Sequence, residues 1–116
     1  MEIKISRTEE LDILEQLYSL RKRSEVMKYL ANNFFLFPFL QDVYEQIRSY
    51  FGKSGQPILE VVTDPEAIED QELVIFIHTT LSADEAIERL EQFDEQWWLN
   101  APVNIRKKLC IDVEFE

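Results

Sequence analysis

Carboxylates are the most abundant groups in this chain that could do chemistry. The sequence has 23 acidic and 12 basic residues, which gives a formal net charge of −11. Five of the acids lie close together in a predicted turn: Asp64, Glu66, Glu69, Asp70 and Glu72. Oxygen ligands suit Ca²⁺ or Mg²⁺, but the spacing of these residues does not match an EF-hand. Because Asp-Pro also commonly begins a turn, we expect a turn here, with no metal and no cofactor.

The last predicted strand carries a second group of carboxylates. Asp112, Glu114 and Glu116 alternate with apolar residues, so they share one face of that strand. A general acid–base pair would need one carboxyl group in apolar surroundings and another in polar ones. The alternative is that these carboxylates form a solvated face and protect a sheet edge against pairing, which requires no special environment for either group. We favour that interpretation. Asp112 and Glu114 are therefore candidates for contact with a basic partner, and no residue is assigned as catalytic.

The chain has one histidine, His78, near the end of a predicted strand, and one cysteine, Cys110, on the outward face of another. A nucleophile and its base must lie within hydrogen-bond distance, and the flanking residues match no known cysteine enzyme. We keep His78 as a candidate binding residue and a His78/Cys110 enzyme as an alternative. A single cysteine excludes a disulfide within the chain, and the N-terminus has no secretory signal pattern, so we expect a cytoplasmic location.

Both tryptophans of the chain, Trp97 and Trp98, stand side by side at the end of an acidic amphipathic helix. Consecutive helical residues point about 100° apart. Trp97 continues the apolar stripe of Phe93 and is predicted to be buried, whereas Trp98 is predicted to be partly exposed at a binding or dimer surface. Packing of Trp98 on the N-terminal helices is the alternative. Asp94 lies at the edge of this aromatic face, where an indole N–H could donate a hydrogen bond to it.

The charge is unevenly distributed along the chain. Residues 1–55 contain eight acids and eight bases, whereas residues 56–116 contain fifteen acids and four bases. An acidic field repels phosphates, so we expect no nucleic acid partner. With only two glycines there is no Gly-rich phosphate-binding loop. The longest apolar run, residues 34–40, is far shorter than the roughly 20 residues of a membrane span, so we expect no membrane partner either.

The elements that must position these groups are three helices followed by strand, strand, helix and strand. The sequence predicts helices over 9–23, 24–31 and 38–51, strands over 58–62 and 73–79, a helix from Ser82, and a strand over 109–115. Residues 1–6 alternate as a short strand would. This order predicts a single α+β domain, with helices packed on a ββαβ sheet. The last strand should run parallel to strand 73–79, but its neighbour is left open. Apolar residues on both faces of the first two strands predict a sheet covered on both sides.

Three segments of the acidic half, LEVVTDPE at 59–66, FDEQWWL at 93–99 and LCIDVEF at 109–115, occur together. In this combination the chain resembles an uncharacterised family of small acidic bacterial proteins, cyanobacterial ones among them. The resemblance implies that residues 56–116 form one structural unit. It implies no activity, cofactor or catalytic residue.

The sequence therefore predicts a non-enzymatic interaction or regulatory protein that binds a basic partner or a second copy of itself. The candidate binding residues are Trp98, Asp94, Asp112, Glu114 and His78. The alternatives are a homodimer with an aromatic ligand pocket near Trp97 and Trp98, and a small enzyme based on carboxylates or on His78 and Cys110. A concave pocket would favour the alternatives, whereas a flat acidic face with aromatic residues would favour the binder.

Overall fold

The computed structural model describes residues 7–64 and 66–115, with side chains for 11–63, 66 and 71–115. The α+β class is confirmed. The helices are α1 (Arg7–Leu17), α2 (Arg23–Asn32), α3 (Leu36–Phe51), α4 (Ala83–Gln96) and the short α5 (Val103–Arg106). The strands are β1 (Ser19–Leu20), β2 (Gly55–Asp64), β3 (Ala67–Thr79) and β4 (Leu109–Phe115). Within the described ranges, no helix is long and apolar enough to cross a membrane.

The four strands form one mixed sheet in the order β1-β2-β3-β4. β2 and β3 form an antiparallel hairpin, and β4 runs parallel to β3 as its neighbour, which decides the strand position that the sequence left open. The predicted ββαβ sheet is incomplete, because β1 adds a fourth strand parallel to β2. The strand predicted over residues 1–6 lies outside the described residues.

β1 occupies a segment that the sequence predicts as helical. α1 ends at Leu17, and after Tyr18 the residues Ser19 and Leu20 pair with Ile58 and Leu59 of β2. The pairing is extended by the backbone N–H of Arg21, which donates to the carbonyl of Leu59 at 2.9 Å. Lys22 then adopts a left-handed backbone with φ 49° and precedes α2. The chain forms a strand here instead of the predicted helix, because its backbone gains hydrogen bonds to β2, which lies far away in sequence.

The hairpin is longer than its apolar pattern predicts. Strands β2 and β3 continue into the polar segment that the sequence assigns to a turn, with Thr63 opposite Gln71 and a register irregularity between Thr63 and Asp64. Gln71 and Glu72 are exposed, so polar side chains here remain in solvent while the backbone still pairs. Of the five carboxylates predicted to crowd this turn, Glu66 and Glu72 are exposed, and the other three side chains lie outside the described set.

The core lies between the helices and one face of the sheet, and both halves of the chain contribute to it. This inner sheet face carries side chains that are at most 1% exposed: Leu59, Leu73, Ile75, Ile77 and Leu109. On the other face, Val74 is 7% exposed, Ile58 and Phe76 are half-buried and Val62 is 40% exposed, and none of these side chains belongs to the core cluster. The cover predicted for both faces is therefore only partial on this second face of the described residues. The outward residues form what we call the outer sheet face: Ile58, Glu60, Val62, Glu72, Val74, Phe76, His78, Cys110, Asp112 and Glu114.

Candidate functional site

A chain of charged contacts crosses the outer sheet face. His78 and Glu114 lie opposite each other on β3 and β4, with His78 Nδ1 3.2 Å from Glu114 Oε2. The same carboxylate oxygen accepts a hydrogen bond from Arg21 Nη2 at 2.5 Å. Arg21 Nη1 donates to Glu60 Oε1 on β2 at 3.3 Å. Arg21 therefore links carboxylates of two strands that are not neighbours in the sheet.

The Arg21 guanidinium also lies over an aromatic ring. Its central carbon is 5.6 Å from the centroid of Phe76, within the range of a cation–π contact. The hydrogen bond from Arg21, followed by that with His78, lowers the pKa of Glu114 below its ordinary value. The hydrogen bond with Glu114 in turn raises the pKa of Arg21. The face thus holds a guanidinium between carboxylates and an aromatic ring.

Arg21 and Glu60 were missed at the sequence level. The segment around Arg21 is predicted to end a helix, and no local signal places it beside β2. Glu60 is a single acid within an apolar strand pattern. The structure brings His78 and Glu114 together with these two residues and places Asp112 opposite Phe76 on the same face. Asp94 lies near enough to Asp112 for the two charges to repel, whereas Trp98 packs elsewhere, against Phe39.

Asp112 accepts a backbone hydrogen bond at the edge of the sheet. Among the described strands, β4 lies at the edge of the sheet, and Leu73 N–H donates to the carbonyl of Lys108 at 3.2 Å. Because backbone groups alternate sides along a strand, the N–H of Val113 points away from β3. Asp112 Oδ1 accepts that N–H at 2.8 Å. This carboxylate therefore occupies a hydrogen-bonding position to which an added strand would otherwise pair.

Asp94 does not make the predicted contact with an indole. Within the described part of the chain, its carboxylate has no hydrogen bond or ion pair. Burial, followed by repulsion from Asp112 and Glu91, raises the pKa of Asp94 above its ordinary value of 3.8. The charged carboxylate is therefore less favourable in the folded protein than in the unfolded chain.

We expect Asp94→Asn to stabilise the protein at pH 7 by about 0.5 kcal/mol. The substitution removes a charge that is unfavourable in the folded protein, and it removes an acid from the C-terminal turn of α4. Since the folded pKa is raised, the penalty of the charge is present at neutral pH and disappears once the pH falls below 3.8, where both states are protonated. Denaturant unfolding at pH 7 and pH 3 measures the difference. The exposed neighbour Glu95→Gln should give a smaller gain, and a loss of stability in Asp94→Asn at pH 7 would contradict the expectation.

The two tryptophans lie in a separate aromatic cluster between α3 and the end of α4. α4 ends at Gln96, and Trp97 has a non-helical backbone with φ −136° and ψ −54°. The helical spacing of 100° therefore does not apply, and both indoles are half-buried against the core. The predicted full burial of Trp97 is wrong. Its ring stacks on Phe39 at a centroid distance of 5.2 Å, and the Trp98 ring is 6.0 Å from Phe39.

His78 and Cys110 do not form a nucleophile–base pair. His78 lies opposite Glu114, whereas Cys110 lies opposite Val74, four residues away along β4, or about 13 Å along a strand. Burial, followed by the charges of Glu72 and Asp112, raises the pKa of the Cys110 thiol. A reactive cysteine needs the opposite shift. Among the side chains that the structure describes, no group of three or more histidines, cysteines and acids could hold a metal.

No protein-family model, no curated protein and no solved structure that was compared with this chain matches it. The function is therefore argued from the geometry of the outer sheet face and the aromatic cluster.

Proposed function

We propose that this protein is a non-enzymatic binding module that captures a basic partner protein on its outer sheet face. The observation that carries the proposal is the position of Arg21 over Phe76 and between Glu60 and Glu114. Arg21 shows that carboxylates and an aromatic ring on this face can hold a guanidinium. An arginine of a partner would meet the same kinds of group there. We also propose a cytoplasmic location, in keeping with a chain that has a single cysteine.

The apolar centre of the face supports a protein partner. Ile58 and Phe76 are direct neighbours across β2 and β3 and are only half-buried. Val62 adds an exposed apolar side chain on the same face. An apolar centre surrounded by polar residues is the usual anatomy of a protein interface, and a partner would bury these side chains without a change in the fold.

The rim of the face is predominantly acidic and therefore favours a partner with positive charge. Four carboxylates, those of Glu60, Glu72, Asp112 and Glu114, stand against the single guanidinium of Arg21. A second copy of the chain would bring like charges together, which costs free energy. A basic partner would instead be attracted over a distance of about one Debye length, roughly 8 Å at physiological ionic strength.

We expect the double variant Asp112→Asn/Glu114→Gln to slow association with a basic partner by on the order of tenfold at low salt, with a smaller effect on dissociation. The side chains keep their shape and their acceptor oxygens, so the Arg21 contact can persist. A synthetic peptide with arginines around a central Leu-Val segment serves as the probe, and surface plasmon resonance measures both rates over a range of salt concentrations.

The matched control is Glu88→Gln/Glu95→Gln, which changes the net charge equally at exposed positions of α4. It should reduce the association rate much less. If both double variants slow association equally, the effect comes from the net charge and the outer sheet face is not the docking surface. An association rate that does not depend on salt would also contradict the proposal.

A further inference from the structure

A shallow groove lies beside the aromatic cluster, in the helical layer and away from the outer sheet face. Its volume is about 280 Å³. One wall comes from α3 and the other from the end of α4 and the segment after it. The lining residues are Phe39, Asp42, Gln96, Trp97, Asn100, Ala101 and Pro102.

The aromatic part of the wall is built from stacked rings. Phe39 and Trp97 stack with an interplanar angle of 21°, and Trp98 stacks on Trp97 with a centroid distance of 6.4 Å. Both indoles are half-buried, so part of their surface remains accessible. Aromatic rings attract cations, and tryptophan does so most strongly.

The polar part of the groove consists of one carboxylate, that of Asp42, and the amides of Gln96 and Asn100. Asp42 follows Phe39 by one turn of α3 and is exposed, and no base that the structure describes forms an ion pair with it. Gln96 Oε1 accepts a hydrogen bond from the Tyr50 hydroxyl at 2.6 Å, which holds this amide in place. One base lies beside the groove, Arg106, whose Nε donates to the Ala101 carbonyl at 3.1 Å. The groove thus combines aromatic rings and a carboxylate, and a guanidinium already lies at its rim.

We propose that this groove binds the side chain of an arginine presented by a partner peptide. A guanidinium is planar and weakly hydrated, so it can stack on aromatic rings while it donates hydrogen bonds to a carboxylate. The groove is shallow, and its volume of about 280 Å³ is large enough for a single side chain. This site shares no residue with the outer sheet face and does not rest on the function proposed for that face.

Trp97 and Trp98 are the only tryptophans in the chain, so intrinsic fluorescence reports directly on this groove. N-acetyl-arginine amide is the probe, with the citrulline and lysine analogues as controls for charge and for shape. We expect saturable binding of the arginine compound, with the citrulline analogue about tenfold weaker because it loses both the cation–π contact and the charge pair. The lysine analogue should also bind more weakly, because its ammonium is more strongly hydrated and cannot stack.

Two charge changes at the groove should act in opposite directions. Asp42→Asn should weaken arginine binding about threefold to fivefold, and Arg106→Gln should strengthen it because a competing cation is removed. Asp12→Asn on α1 changes the net charge as Asp42→Asn does, at an exposed position outside the groove, and should have no effect. Glu114→Gln on the outer sheet face should also have no effect, so failure of this inference is distinguishable from failure of the proposed function.

The proposal is overturned if the citrulline or the lysine analogue binds as tightly as the arginine compound. It is also overturned if Asp42→Asn behaves like Asp12→Asn, because the carboxylate would then not face the ligand. Asp42 is exposed, so a folding defect does not complicate its substitution, and the melting temperature of each variant checks this.

Discussion

Phe93→Ala should lower the free energy of unfolding by about 3–5 kcal/mol, the range for truncation of a buried aromatic residue. Phe93 has no exposed surface. Its ring makes an edge contact with Tyr50 of α3 at 5.7 Å and lies 5.6 Å from Trp97. The side chain therefore joins α4 to α3 and to the aromatic cluster, and its loss leaves a cavity where the two helices meet.

A domain of ordinary stability, about 5–15 kcal/mol, would lose much of its margin by this change. Denaturant unfolding followed by circular dichroism measures the loss, and tryptophan fluorescence should shift because Trp97 loses a neighbour. Ile87→Ala on the same helix is the matched control: its side chain is 47% exposed, so the effect should be small. An unchanged unfolding curve for Phe93→Ala would mean that α4 packs differently.

Gly55→Ala should destabilise the protein by about 1–3 kcal/mol, as overpacking of a core does. A Cβ at this position would lie 2.7 Å from Phe51 Cβ and 3.0 Å from Ile77 Cγ2. The Phe51 Cβ is fixed to the backbone of α3, so it cannot move away as the end of a flexible side chain could. The close approach of α3 to the start of β2 therefore requires glycine.

Whether Gly55→Ala lowers or raises the stability shows which of two effects is larger: the steric overlap in the folded protein or the lower entropy of the unfolded chain. Gly55 has φ −122° and ψ 120°, which any residue can adopt, so the lower entropy of the unfolded chain alone would stabilise the alanine variant by about 0.4–1 kcal/mol. Thermal unfolding of Gly55→Ala beside Gln56→Ala, an exposed neighbour, makes the comparison. A raised melting temperature for Gly55→Ala would show that α3 and β2 separate easily and would contradict the expectation.

The sequence alone determined the features that depend on neighbouring residues. Ser82 begins α4 and its hydroxyl accepts the N–H of Glu85 at 3.3 Å, and Gly52 follows α3 with a positive φ of 58°. The alternation of β4 and the α+β class were predicted as well. Caps, alternation and helical stripes are properties of a few adjacent residues, so they can be read without knowledge of the fold.

The tertiary structure decided which of these residues meet. Arg21 and Glu114 are 93 residues apart, and their contact depends on the strand order and on β1, a two-residue strand with no pattern of its own. Among the described residues, Ile58 and Phe76 are only half-buried and lie outside the core cluster, although their strands look buried on both faces. Likewise, α4 ends at Gln96 and Trp97 has a non-helical backbone, so both indoles reach Phe39 of α3. Such outcomes follow from long-range packing and hydrogen bonds, which no local pattern records.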